Sequence, residues 1–311
     1  RRQRQMCIRD RYMYTSKDNV LLAIKRKKDT RATYLRNAEL TYSREHYNGI
    51  SYNAVIRNFR EYATDYARFD RIGANGAVTP VRKYDMTELE LKFRYGKNEK
   101  FYQTHDERIP ITYDALIFNL EHTMSKKGFL GSLYDYHRTE LGIQKRLWFS
   151  AFGFVDVIGK AGKVWNKVPY PLLILPNANL TYTIQPEAYT NMNAIEFIND
   201  EYISWDVTYY MNGLILNRLP LIKKLKWREV LCFRGLWGHL TDKNNPMKTG
   251  EGLYAFPVGS GVMGRAPYME ASVGIENIFK FMRLDYVWRL NYRDHSGIQK
   301  RGIRCTMSLS F

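Results

Sequence analysis

The stretch RGIRCTMSLSF, residues 301–311, decides how the rest of the chain is read. Side chains alternate between the two faces of a β-strand. Ile303, Cys305, Met307, Leu309 and Phe311 therefore share one face, and Gly302, Arg304, Thr306, Ser308 and Ser310 share the other. One face suits hydrocarbon and the other suits water, so such a strand belongs at a boundary between the two.

The segments before it repeat the division. In residues 268–276, Met269, Ala271, Val273 and Ile275 oppose Tyr268, Glu270, Ser272, Gly274 and Glu276. In residues 282–292, Met282, Leu284, Tyr286, Trp288, Leu290 and Tyr292 oppose Arg283, Asp285, Val287, Arg289 and Asn291. In residues 87–95, Leu89, Leu91, Phe93 and Tyr95 oppose Glu88, Glu90, Lys92 and Arg94. Four charged side chains cannot face lipid tails, so that wall must be wet. Segments of this length and period, joined alternately by short turns and longer loops, are the pattern of an antiparallel transmembrane β-barrel. A soluble β-sandwich also alternates, but it buries its apolar face and rarely sets arginine and carboxylate opposite each other on the other wall. Met282, Leu284, Tyr286, Trp288 and Leu290 are expected to face lipid. Glu270, Glu276, Arg283, Asp285 and Arg289 are expected to pair across the hairpin as a lumenal charge network that stiffens the wall and narrows the pore.

Composition fits this reading. Hydrophobic residues make up 45% and charged residues 25% of the 311, enough to fold. No run approaches the ~18 apolar residues of a membrane helix, so any crossing uses strands. The mean hydropathy of −0.46 does not oppose this, because lumenal residues and loops mask the lipid-facing half. Twenty-four tyrosines suit aromatic girdles at the two membrane interfaces. A net charge of +17 first suggests nucleic acid. The cations, however, are spread along the strands beside Glu and Asp, which favours lumenal pairing and contact with anionic lipopolysaccharide. Cys7, Cys232 and Cys305 form no disulfide or metal-ligand spacing. No signal peptide is present, so the sequence is expected to be a processed product or fragment, with residues 1–13 non-native or disordered and 14–311 forming the barrel domain.

Working back along the chain, strands are expected over 14–26, 33–45, 50–62, 87–95, 109–122, 133–147, 152–162, 201–212 and 227–240, besides the three C-terminal ones, about twelve in all. Asn48-Gly49 is expected to make a type I′ hairpin turn. Residues 66–85, 165–199 and 241–267 read as long segments, the second with prolines 169, 171 and 176 and either a loop or folded inward. NRLPLIKKLK, residues 217–226, is a basic amphipathic connector, read either as a turn or as a helix on the periplasmic membrane surface.

The chain ending on Phe311, with Leu309 and Met307, resembles the closing strand of bacterial outer-membrane barrels, in which the terminal aromatic implies an assembly signal. PYPLLILPNANLTY (169–182), NGLILNRLPLIKKLKWREV (212–230), DKNNP (242–246) and SVGIENIFKFMRLDYVWRLNYRD (272–294) resemble an uncharacterised Gram-negative outer-membrane family. Its members carry a carboxypeptidase-regulatory-like domain ahead of a C-terminal barrel. The resemblance implies location in the cell outer membrane, contact with its lipid and lipopolysaccharide, insertion by the barrel-assembly machinery, and periplasmic partners. It implies a role in transport, envelope assembly or surface interaction, and no reaction.

Catalytic signatures are sparse. GSGVMG, residues 259–264, precedes a strand rather than opening a helix, so it lacks the nucleotide-binding context. A barrel-embedded hydrolase would need Asp, His and Ser brought together from neighbouring strands, and Asp114, His122, His137 and Asp156 are the candidates. No cofactor, metal site or enzymatic activity is expected. A soluble nucleic-acid-binding β-protein is the least favoured reading.

Overall fold

The computed structural model describes residues 2–4, 26, 33–46, 48–65, 67–103, 108–112, 114–295 and 297–307. Period-two alternation with β-branched and aromatic residues favours strands. The chain forms β1 (Arg2–Arg4), β2 (Tyr34–Glu45), β3 (Ile50–Tyr62), β4 (Phe69–Ile72), β5 (Val78–Val81), β6 (Lys83–Lys97), β7 (Phe101–Gln103) and β8 (Arg108–Pro110). It continues with β9 (Leu116–Ser125), β10 (Tyr136–Trp148), β11 (Phe154–Val164), β12 (Glu201–Tyr210), β13 (Arg228–His239), β14 (Tyr268–Ile278), β15 (Met282–Arg289) and β16 (Arg301–Met307).

One antiparallel meander holds most of these, in the order β1-β2-β3-β6-β9-β10-β11-β12-β13-β14-β15-β16. Eleven of its strands correspond one to one with expected segments. The segment 14–26 lies, apart from Arg26, outside the described residues, as do Cys7, Leu309 and Phe311. Arg2–Arg4, given no structural weight from sequence, pair with Tyr34–Arg36. The barrel expectation is met in part. β1 and β16 lie at opposite edges of the sheet and do not pair among the described residues, which therefore form one open antiparallel sheet.

Local departures have local causes. β9 begins at Leu116 and not near 109, because Ile109 and Pro110 are drawn into the small β7–β8 hairpin, and a proline cannot donate to an interior ladder. The segment 66–85 is not a plain loop but carries the β4–β5 hairpin. The Asn48-Gly49 turn is not type I′, which needs positive φ at both central residues. Here Gly49 takes φ +82° and its N–H bonds to His46 O, so Asn48-Gly49 are not the two central residues, and His46 N–H bonds to Ile50 O across the loop. A Cβ on Gly49 would stand 2.3 Å from Gly96 O.

Burial follows the alternation, with the polar face inside. On β6, Glu88 and Glu90 are buried while Leu91, Phe93 and Tyr95 are exposed. On β15 and β16, Asp285, Arg289 and Arg304 are buried while Leu284 and Ile303 are exposed, Ile303 to 64%. Leu40 on β2 is 72% exposed. The exposed apolar residues form rows across the sheet. Tyr52, Phe93, Leu120, Leu141, Ala161, Ile203 and Trp237 are successive cross-strand partners from β3 to β13, and Val273, Tyr286 and Ile303 continue the apolar face across β14 to β16.

Candidate functional site

The concave polar face is occupied by the chain's own segment 165–200, which joins β11 to β12. Its prolines 169, 171, 176 and 186 prevent it from adding regular ladder bonds, and it is held instead by isolated bridges at Ile174–Asn199, Ala178–Tyr189 and Phe197–Gly261. At the long-loop end its Tyr170, Leu172, Phe197 and Ile198 are buried with Phe59, Tyr84 and Tyr268 of the wall. The rings interlock: Phe69 stacks on Tyr254 at 5.6 Å, and Phe197 meets Tyr268 edge-on at 5.8 Å. The interior is thus not hydrophilic throughout, because an apolar layer lies at this end.

Nearer mid-wall, charged side chains grip the segment's backbone. The Glu270 carboxylate accepts the N–H groups of Thr190 (2.9 Å) and Asn191 (2.6 Å), the Thr190 hydroxyl (2.9 Å) and the Tyr268 hydroxyl (2.6 Å). Arg289 donates to both oxygens of Glu196 at 3.0 and 2.5 Å and to the carbonyl of Asn191. Arg304 donates to Thr190 O and Asn191 Oδ1, both at 2.9 Å. Arg234 pairs with Asp206 at 2.8 Å and donates to Gln185 O and Ala188 O. Lys160 reaches Glu187 at 2.7 Å. Charge-assisted bonds of this kind are stronger than neutral ones, so the wall's charges fix an irregular backbone that could not fix itself.

Burial alone would raise the Glu196 carboxyl, but the Arg289 bonds, the Asn193 N–H and the contact with His295 hold it below its ordinary value of 4.5. Burial raises the Tyr189 hydroxyl, which stays protonated and donates to Gly235 O at 2.9 Å. Between the segment and β10–β13 lies a cavity of about 60 Å³ whose charged lining includes Arg138, Glu140, Lys160, Glu187, Asp206 and Arg234. That is room for a few water molecules. Arg138 pairs with Glu140 at 2.6 Å, and Tyr202 also donates to Glu140 at 2.6 Å, so these cations are matched by carboxylates on the spot.

The charges expected to form a cross-hairpin network all lie on the inner face, but they pair differently. Arg289 stands opposite Glu270 in register, yet its carboxylate partner is Glu196 of the inner segment. Arg283 grips Asp285, its neighbour on the same strand, by two bonds of 2.7 Å. Glu276 stands opposite Arg228 of β13. For Glu270 and Arg289 the reason is reach: the inner segment brings backbone N–H groups to the first and a carboxylate to the second. Met282, Leu284, Tyr286 and Trp288 lie on the outer face, with Tyr286 and Trp288 rings 4.6 Å apart. Leu290 lies just past β15 and is exposed. Met307 ends β16.

The hydrolase candidates do not converge. The His122 and His137 rings are 5.8 Å apart but lie on the outer face with Thr139, whereas Asp156 lies inside, held by Arg146 at 2.6 and 2.8 Å. Asp114 is exposed. Sequence reasoning missed Arg138, Glu140, Glu196 and Arg234. Strand parity would have placed Arg138, Glu140 and Arg234 inside, but nothing in an irregular loop singles out Glu196.

A family model, the C-terminal domain of a family of unknown function (DUF5686), matches residues 35–245. No curated protein matches the sequence. Among solved structures, the fold is similar to the crystal structure of BamA from Haemophilus ducreyi lacking POTRA domains 1-3, with a TM-score of 0.52 and 8% identity, covering 89% of this chain and 54% of that one. The chain thus spans about half the length of that structure, and the likeness is one of fold.

Proposed function

Because the chain belongs to the family of unknown function DUF5686, of which it carries the C-terminal domain, we propose that it is an integral outer-membrane β-barrel protein of a Gram-negative envelope. Its role lies in envelope assembly, transport or surface interaction, without catalysis. The observation that carries this reading is the inverted burial: carboxylates and guanidinium groups are enclosed, and Leu, Ile, Phe and Trp side chains form an exposed belt across the strands. A soluble monomer rarely exposes so large a contiguous apolar surface, whereas a hydrocarbon layer requires it. The BamA-like sheet supports the same reading. The segment 165–200 fills the concave face, which argues for a scaffold or gated conduit and against an open diffusion pore. Outer-membrane lipid and lipopolysaccharide surround the belt, the barrel-assembly machinery inserts it, periplasmic partners contact the protein, and nucleic acid is not a ligand.

The test is to export the full chain into the periplasm of a Gram-negative host and fractionate the envelope. The reading expects recovery in the outer membrane, resistance to carbonate extraction, and a gel mobility that changes on heating. Recovery as a soluble monomer without detergent would overturn it.

A further inference from the structure

The connector between β12 and β13, residues 211–227, carries no carboxylate but has four cations, Arg218, Lys223, Lys224 and Lys226. It folds not as an α-helix but as two short 3₁₀ turns, Leu216–Arg218 and Ile222–Leu225. Leu221 is 83% exposed, and Ile215, Leu219 and Leu225 are about half exposed. Four aliphatic side chains set in water beside four cations need a surface that is both greasy and anionic.

The connector's position is fixed by Glu229. This residue has the parity of Leu231, Phe233 and Trp237, so it points outward with the apolar belt. Its carboxylate accepts the N–H groups of Ile215, at 3.0 Å, and Leu216. Asn277 Nδ2, in the neighbouring β14, donates to Lys226 O at 2.7 Å. The connector is therefore pinned over the lower margin of the outer wall and does not hang below the lumen. Its neighbours on that rim repeat the chemistry. The β10–β11 turn exposes Phe149 and Phe152, and the β14–β15 turn exposes Phe279 beside Lys280. Tyr209 OH bonds to Phe152 O at 2.8 Å, tying the first of these turns to β12.

We propose that this rim is a docking surface for anionic phospholipid headgroups: Ile215, Leu219, Leu221 and Leu225 enter the acyl boundary while Arg218, Lys223, Lys224 and Lys226 bind the phosphates. Amphipathic segments with Lys and Arg beside aliphatic residues bind anionic interfaces in this way, and phosphate is satisfied by ammonium groups as point charges. The inference rests on the membrane-embedded reading and adds the leaflet and headgroup class at the short-turn end.

The experiment reconstitutes the full chain, with Cys7, Cys232 and Cys305 replaced by Ser, into vesicles of phosphatidylcholine alone or with phosphatidylglycerol. A polarity-sensitive fluorophore is placed on Leu221→Cys, or on Leu141→Cys in the belt, and quenched by spin-labelled lipid of each headgroup. The proposal expects the Leu221→Cys probe to be quenched preferentially by labelled phosphatidylglycerol. Each lysine contributes about a fivefold preference, so Lys223→Gln, Lys224→Gln and Lys226→Gln together should cut it by about a hundredfold, leaving only the share of Arg218. A solvent-like Leu221→Cys probe beside a quenched Leu141→Cys probe would overturn this inference alone and point to a protein partner for the rim. Equal quenching by both headgroups would also overturn it. An unquenched Leu141→Cys probe would overturn the membrane reading beneath it.

Discussion

Arg289 is the side chain whose loss should cost most. It is buried, bidentate on Glu196 and bonded to three carbonyls, those of Asn191, Asn291 and Tyr292. Replacing it with Ala leaves the Glu196 carboxylate with only the Asn193 N–H and His295, and removing one partner of a buried pair costs about 3–5 kcal/mol. Thermal unfolding in detergent should show Arg289→Ala to be less stable than Arg283→Ala, because Arg283 holds Asp285 and, at 3.4 Å, the Tyr210 hydroxyl, whereas Arg289 holds three carbonyls besides its carboxylate. Near-equal effects would contradict the pairing. Glu196 adds a pH dependence. Its carboxyl titrates near 4.5 when unfolded and lower when folded. Its contribution is therefore fully present above about pH 4.5 and is lost as pH falls through the folded value. Wild type should lose stability in that window, and Glu196→Gln should be less stable at pH 7 but flatter below pH 5. A parallel loss in both proteins would remove Glu196 as the cause.

At the scale of elements, the β2–β3 turn shows how a correct location can carry an incorrect geometry. Asn-Gly marks the hairpin, but the Gly49 N–H closes on His46 O, so Asn48-Gly49 are not the two central residues of the turn. The close approach of Gly96 O to the Gly49 Cα then excludes any side chain. Gly49→Val should destabilise by about 1–3 kcal/mol from backbone strain plus the contact with Gly96. Asn48→Ala loses only an exposed bond of 3.3 Å to Ile50 N–H and should lie within about 0.5 kcal/mol of wild type by thermal unfolding. Comparable losses at the two positions would refute this account. The same contrast holds for the strands. β6, β12, β14 and β16 alternate cleanly and are legible from sequence, whereas the expected strand 109–122 mixes parity because Ile109 and Pro110 belong to a separate hairpin, and the inner segment does so because its prolines interrupt it.

For the whole molecule, the deciding quantity is which solvent each face meets. Leu141 stands mid-belt between Leu120 and Ala161 in register. Leu141→Arg should destabilise the folded state in a bilayer by about 2–4 kcal/mol. A soluble sheet would tolerate the change at an exposed position within about 0.5 kcal/mol. Unfolding by denaturant in lipid vesicles separates the two outcomes.

The sequence by itself determined eleven strands of the main sheet, their faces and the sign of the inversion, because a period of two is written into consecutive residues and needs no knowledge of neighbours. It also located the long and short connections. Only the tertiary structure decided what fills the concave face and which charges meet. Glu196 and Arg289 are 93 positions apart, and such a pair forms only when an aperiodic segment is folded back against a wall built from distant strands. The partner of a buried charge depends on which group lies nearest in space, and chain order carries no trace of that.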